Sequence, residues 1–374
     1  MKVVIAIDSF KGSLSSVEAG NAVKDAVLSL DSTVCVIVRP LADGGEGTVQ
    51  AMLADGESVT VTVMGPLGKP VNAVYCITKD GTAVIEMSAA AGITLISEEE
   101  RNPLNTTTFG VGEIIKDAIK KGARKFIVGI GGSATNDGGI GMLSALGFEF
   151  LDKDGRPVGI NGAALEKLAK IETENALPEL KDCTFKIACD VDNTLCGENG
   201  CSAVYGPQKG ATPEIVKNMD IWLKNYAEIA ATVSKTADKE KAGVGAAGGL
   251  GFAFLAFMNA TLNRGIDIIL EQTKLEDYIK DADIVVTGEG RLDSQTVMGK
   301  APIGVARLAK KYGKKVIAFS GCVTDDAEII NKHGIDAFFP VLRNITTLQD
   351  ALEKTNACKN LTATAKQVFR LIIK

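Results

Sequence analysis

Short runs of β-branched and other apolar residues recur along the chain and end in Gly, Asp or Ser, at 3–7, 34–38, 125–130, 284–287, 316–319 and 337–340. Continuous apolar runs of this length mark strands buried on both faces of a parallel sheet. Helical spacing follows most of them. In 16–30 the residues Val17, Val23, Val27 and Leu30 fall on one side, and 303–311 and 357–373 are patterned alike. Strand–helix alternation predicts a Rossmann-like, doubly wound parallel sheet.

Elsewhere the rhythm changes. From 57 to 87 apolar and polar residues alternate, with turn signals at Gly65-Pro66-Leu67-Gly68 and Lys79-Asp80-Gly81, which predicts an antiparallel meander. The stretch 139–264 mixes helices, Gly-rich loops and isolated strands, and 250–262 predicts a buried helix, about half a membrane span long and interrupted by Asn259. The expected fold class is α/β. A Rossmann-like domain formed by 1–58, 104–138 and 265–374 is interrupted by a second, smaller α/β domain with a mixed sheet, 59–103 and 139–264, and the active site is expected in the cleft between them.

Composition removes several classes of function. A net charge of −5, five Tyr, one Trp and no long Lys/Arg run argue against nucleic acid as a partner. Eight Cys occur without a Cys-x-x-Cys pair, and His333 is the single histidine, so neither a zinc site nor a histidine-based triad is expected. Reduced thiols suit a cytoplasmic protein. The apolar run behind the N-terminus is too short for a signal-peptide core, no membrane association is expected, and a homo-oligomer is left open.

The chemistry collects behind the strands, where open parallel sheets bind ligands. After the first come Asp8, Ser9, Lys11 and Ser13 at a helix entry, where the serines could also be ordinary caps. After the second, Asp43 and Glu46 flank Gly44-Gly45. The third leads into 129–139 (GIGGSATNDGG), small hydroxyl and amide residues ahead of a helix, suited to cradling phosphate with backbone N–H groups. The fourth leads into 288–296 (GEGRLDSQT) and on to Lys300, and a short strand of the second domain ends in Asp190 and Asp192. A literal Gly-x-Gly-x-x-Gly at Gly243, Gly245 and Gly248 follows no strand and reads as a turn entering the buried helix. No Gly-x-x-x-x-Gly-Lys-Ser/Thr occurs. Metal-holding acids, phosphate-binding N–H donors and a base for a hydroxyl are the inventory of phosphoryl transfer.

The segments 8–13 (DSFKGS), 42–48 (ADGGEGT), 129–139, 188–193 (ACDVDN), 206–212 (GPQKGAT) and 288–296 run in the order found in the bacterial type-1 glycerate kinases, which the chain resembles over essentially its whole length. Ile7 stands where that family often has Pro, and Met298 where His is common; neither is a phosphate or metal ligand type. The resemblance implies transfer of the γ-phosphate of ATP to glycerate with Mg²⁺, giving 2-phosphoglycerate rather than 3-phosphoglycerate.

On this basis Gly131, Gly132, Ser133, Thr135, Asn136 and Asp137, with Gly288, Glu289 and Gly290, are expected to hold the nucleotide. Asp8, Ser9, Arg291, Asp293, Ser294 and Lys300 are the candidate glycerate contacts, with Arg291 suited to the carboxylate. Lys11, Asp190 and Asp192 are the candidate catalytic groups, and Asp43, Glu46 and Asp190 the candidate metal ligands. A hydroxy-acid dehydrogenase and a nucleotide- or sugar-acid-binding sensor are the rival readings; neither accounts for the clustered acids.

Overall fold

The computed structural model describes residues 1–42, 44–45, 47–53 and 56–373. Strands follow in chain order as β1 (Lys2–Ile5), β2 (Cys35–Val38), β3 (Gly56–Met64), β4 (Pro70–Thr78), β5 (Thr82–Glu86), β6 (Lys125–Gly129), β7 (Glu149–Leu151), β8 (Lys170–Glu172), β9 (Thr184–Ala188), β10 (Ala260–Asn263), β11 (Ile284–Leu292), β12 (Lys315–Val323) and β13 (Ala337–Pro340). The chain divides into two compact units, Met1–Asp43 with Ile266–Lys374, and Gly44–Gly265. Among the described residues no helix is long and apolar enough to cross a membrane.

The first unit is built on a five-stranded sheet ordered β13-β12-β11-β1-β2, every pair parallel. Counted within this unit, that is the doubly wound order 2-1-3-4-5. Val3, Val4, Ile5, Val285 and Val286 are fully buried, as unbroken apolar runs covered on both faces should be. Helix Ser16–Leu28 starts at a capping box. The Ser15 hydroxyl accepts from the Glu18 N–H at 3.3 Å, and the Glu18 carboxylate accepts from the Ser15 N–H at 3.0 Å. Its Val23 and Val27 share one core with Leu361 and Phe369 of helix Lys354–Arg370. A Glu18–Lys354 ion pair closes the edge between the two helices.

β11 departs from expectation. Its apolar run ends at Thr287, but the strand continues to Leu292, with Glu289, Arg291 and Leu292 opposite Ser320, Cys322 and Val323 of β12. Residues 288–292 are therefore strand and not loop. A Cβ on Gly288 would stand 2.1 Å from the Phe319 carbonyl oxygen, so this glycine answers to a neighbouring strand.

The second unit carries a six-stranded sheet ordered β10-β9-β6-β5-β4-β3. The meander is present, β3–β4 and β4–β5 being antiparallel, while β5–β6, β6–β9 and β9–β10 are parallel, which makes the sheet mixed. β6 corrects the domain boundaries: 104–138 was assigned to the Rossmann-like domain, yet this strand lies between β5 and β9. Phe126-Ile127-Val128 has the pattern of a buried parallel strand in either sheet, and pattern does not name the neighbour. With 44–58 and 104–138 included, the inserted unit becomes the larger one.

Phe126 on β6 stacks on Phe185 of β9 at 4.5 Å between centroids, inside a core that includes Ile114 and Ile115 of helix Phe109–Lys120. Helix Ala246–Phe257 is buried except at its last residue, and its entry turns through left-handed Ala247, Gly248 and Gly249. The rest of the apolar run forms β10 rather than more helix.

Candidate active site

In the first unit β1 has β2 on one side and β11 on the other, so the direction of winding reverses between β1 and β11. Crevices outside the strand ends at such a switch point are where doubly wound sheets bind ligands. A cavity of about 320 Å³ opens there. Its lining includes Asp8, Ser9 and Lys11 beyond β1, Glu289, Gly290 and Arg291 of β11, and Lys300.

These polar groups hold one another in place. The Asp8 N–H donates to the Gly288 carbonyl at 2.9 Å, and its buried carboxylate accepts from the Ser9 N–H at 2.6 Å. Glu289 accepts from the Thr296 hydroxyl at 2.8 Å. The Lys300 ammonium stands 3.7 Å from both Glu289 and Asp293, and the Arg291 Nε 3.3 Å from Asp293. Arg291 keeps 63% of its side chain in solvent, so its charge is available to an anion. Asp293 and Ser294 lie beside this cluster and not in the cavity lining. Asp293 caps the turn Ser294–Met298, accepting from the Gln295 N–H at 3.0 Å, and the Ser294 N–H donates to Asp326 at 3.3 Å.

The loop behind β6 divides in two. Gly131 and Gly132 are exposed, whereas Thr135, Asn136 and Asp137 are fully buried. The Asp137 carboxylate accepts from the Thr108 N–H (2.8 Å) and hydroxyl (2.7 Å) and from the N–H groups of Gly139 (3.1 Å) and Gly141 (3.3 Å), tying together the starts of helices Phe109–Lys120 and Ile140–Ala145. Burial pushes its carboxyl above the usual range against the pull of those donors. The Asn136 amide donates to the Ser202 hydroxyl at 2.8 Å. The Asp137 carboxylate is inner framework, its needs met by its own unit, which is not the place against a nucleotide that the sequence suggests; the Thr135 hydroxyl and the Asn136 Oδ1 are buried with no hydrogen-bond partner among the described residues.

No candidate role from the sequence covers Lys209. It is 2% exposed, and its ammonium donates to the Ser133 hydroxyl at 2.8 Å and the Thr135 carbonyl at 2.6 Å, fastening the loop behind its exposed tip. Burial pushes the ammonium down to about 8. A lone lysine between two glycines gives no periodic signal of burial; only its position in the 206–212 motif pointed to it.

Behind β9, Asp190 and Asp192 are exposed on an irregular segment. Asp190 is anchored, accepting from the Gly265 N–H at 3.0 Å. Asp43 and Glu46 lie outside the described residues. Among the described residues no three His, Cys, Asp or Glu side chains gather as a metal site.

The family model described as "Glycerate kinase family" matches residues 3–373. The chain belongs to the glycerate kinase family. It is 47% identical over 375 residues to a glycerate kinase of Haemophilus influenzae, covering all of this chain and 99% of that protein. To the glycerate 2-kinase of Escherichia coli it is 46% identical over 372 residues, 97% of this chain and 98% of that one. Among solved structures, a putative glycerate kinase 2 from Salmonella typhimurium superposes with a TM-score of 0.91 at 46% identity, covering the whole chain and 98% of its counterpart. Membership accounts for the order of the motifs and for the two α/β units; the roles of individual side chains have to be argued from where they sit.

Proposed function

We propose that this chain transfers the γ-phosphoryl group of ATP to the C2 hydroxyl of glycerate in the cytoplasm, releasing ADP and 2-phosphoglycerate. The observation that carries this reading is the cavity at the β1/β11 switch point, where Lys11, Arg291 and Lys300 are gathered with Asp8 and Glu289 in a member of the glycerate kinase family. The name of the E. coli relative supports attack at C2. All eight cysteines are free thiols, which suits a reducing compartment.

Arg291 holds the glycerate carboxylate through two parallel N–H bonds, and Asp8 and Ser9 hold its hydroxyls. Lys11 and Lys300 balance negative charge that builds on the transferring group. The exposed tip at Gly131 and Gly132, with the buried Ser133 behind it held by Lys209, receives nucleotide phosphate oxygens on its N–H groups. The exposed, anchored carboxylate of Asp190 takes the hydroxyl proton as the new O–P bond forms and the bond to the β-phosphate bridging oxygen breaks, with Asp192 beside it.

Mg²⁺ needs only one or two protein carboxylates beside substrate phosphates; the exposed Asp190 would supply one, and Asp43 or Glu46, outside the described residues, would be the other. When bound, it neutralises phosphate charge.

Glycerate-dependent ADP release tests the reading. Reduction of NAD(P)⁺ by glycerate would favour a dehydrogenase instead, and nucleotide binding without turnover a sensor. Asp190→Asn should lower kcat about a hundredfold or more; near-normal turnover in that variant removes Asp190 from the role of base.

A further inference from the structure

The cavity at the β1/β11 switch point is not polar throughout. Its cations are Lys11 beyond β1, Arg291 of β11 and Lys300, but the segment after β13 and the helix Leu348–Leu352 supply Leu342, Leu348 and Leu352. These leucines are unusually open to solvent: Leu342 is 40% exposed and Leu348 75%, with Ile345 fully exposed between them. A run of exposed large apolar side chains beside a cavity marks a surface kept for a ligand. Leu352 also lies over the loop behind β1, its methyl groups 3.9 Å from where a Gly12 Cβ would be. The Ser13 hydroxyl, in the cavity lining, is buried with no hydrogen-bond partner among the described residues.

Glycerate does not explain that wall. Each of its three carbons bears oxygen, so it has no apolar face to lay on leucines, and it is small for a cavity of about 320 Å³. The other substrate of the proposed reaction has the matching polarity, with a polyanion at one end and a flat aromatic ring whose faces can lie on leucines at the other. We infer that the leucine wall formed by Leu342, Leu348 and Leu352 is the seat of the purine base of the phosphate donor. This rests on the kinase reading. It places the base in the first unit, with the transferring phosphoryl group and the glycerate carboxylate sharing the Lys11, Arg291 and Lys300 cations where the two substrates meet.

The test separates the base from the phosphates. A non-hydrolysable ATP analogue and inorganic tripolyphosphate are titrated calorimetrically, with Mg²⁺, into the wild type, the Leu348→Gln/Leu352→Gln double variant and the Leu348→Met control. The wild type should bind the analogue at least tenfold more tightly than tripolyphosphate. The double variant should lose most of that difference while holding tripolyphosphate unchanged, and the Met control should keep it. A difference preserved in the double variant places the base elsewhere. A raised KM for glycerate with an unchanged KM for ATP assigns the wall to the acid, and a change of oligomeric state on sedimentation assigns it to a second copy of the chain; each overturns the inference. Thermal melts check folding, and Leu348→Gln alone serves if the double variant melts early. Absence of glycerate-dependent ADP release would defeat the kinase reading yet leave the difference between analogue and tripolyphosphate readable.

Discussion

Two glycine-rich segments of this chain look alike on paper and fold in opposite ways. Residues 129–139 leave β6 as a true loop, and beyond an exposed tip their polar side chains turn inward, Asp137 being wholly enclosed by donors from Thr108, Gly139 and Gly141. Residues 288–292 stay in β11, and there Arg291 and Glu289 line a cavity. Glycine and carboxylate therefore serve architecture in the first segment and a binding surface in the second. Substitutions in the first should be felt mainly as lost stability, and in the second as altered kinetics.

The contrast is sharpest at Asp137. Asp137→Asn puts an amide N–H₂ among N–H donors and should cost about 3 kcal/mol of stability, read as a lower midpoint in urea. A variant that melts like the wild type but fails to bind nucleotide would return Asp137 to the ligand.

Lys209 comes next. Its folded value of about 8 lies below its ordinary 10.5, so between these pH values the unfolded chain binds more protons and Lys209 makes stability rise with pH. Lys209→Met should remove that rise. The stability difference between the two proteins should change by ~2–3 kcal/mol across the window. Burial also raises the thiols of Cys189, Cys196 and Cys201, which work in the other direction, but both proteins share them.

On the other side of the comparison, Arg291→Ala should leave stability within about 0.5 kcal/mol, because the guanidinium is exposed and paired only at the surface. It should raise the KM for glycerate roughly tenfold to thirtyfold, the worth of a charge-assisted pair. Gly131→Ala gives the smallest effect. A Cβ there meets only the Gly45 Cα at 3.7 Å, so the fold accepts it. A KM for ATP raised about fivefold, or ~1 kcal/mol, would show a phosphate approaching that backbone, and an unchanged KM would show that none does.

The strands were legible because buried parallel strands announce themselves by unbroken apolar runs, and the meander by its alternation. What the sequence withheld was partnership. Phe126-Ile127-Val128 fits either sheet, and β6 joined the other one. Gly288 is expected from the sequence to hold the nucleotide, whereas the atom a Cβ there would meet is the Phe319 carbonyl oxygen. Asp8 and Lys11 behind β1, Arg291 within β11 and Lys300 after it line one cavity. Lys209 lies in the 206–212 motif, but its burial has no signal of its own, since lysines are ordinarily solvated and no periodicity marks one that is not.

The account stands most directly on what becomes of glycerate. After incubation of the chain with ATP, Mg²⁺ and D- or L-glycerate, the ³¹P spectrum of the product is recorded with proton coupling. A phosphoester resonance split by the lone methine proton is the predicted result. Splitting by a methylene pair would move the attack to C3, and the absence of any new phosphoester with either enantiomer would contradict the assignment of this chain as a kinase of glycerate.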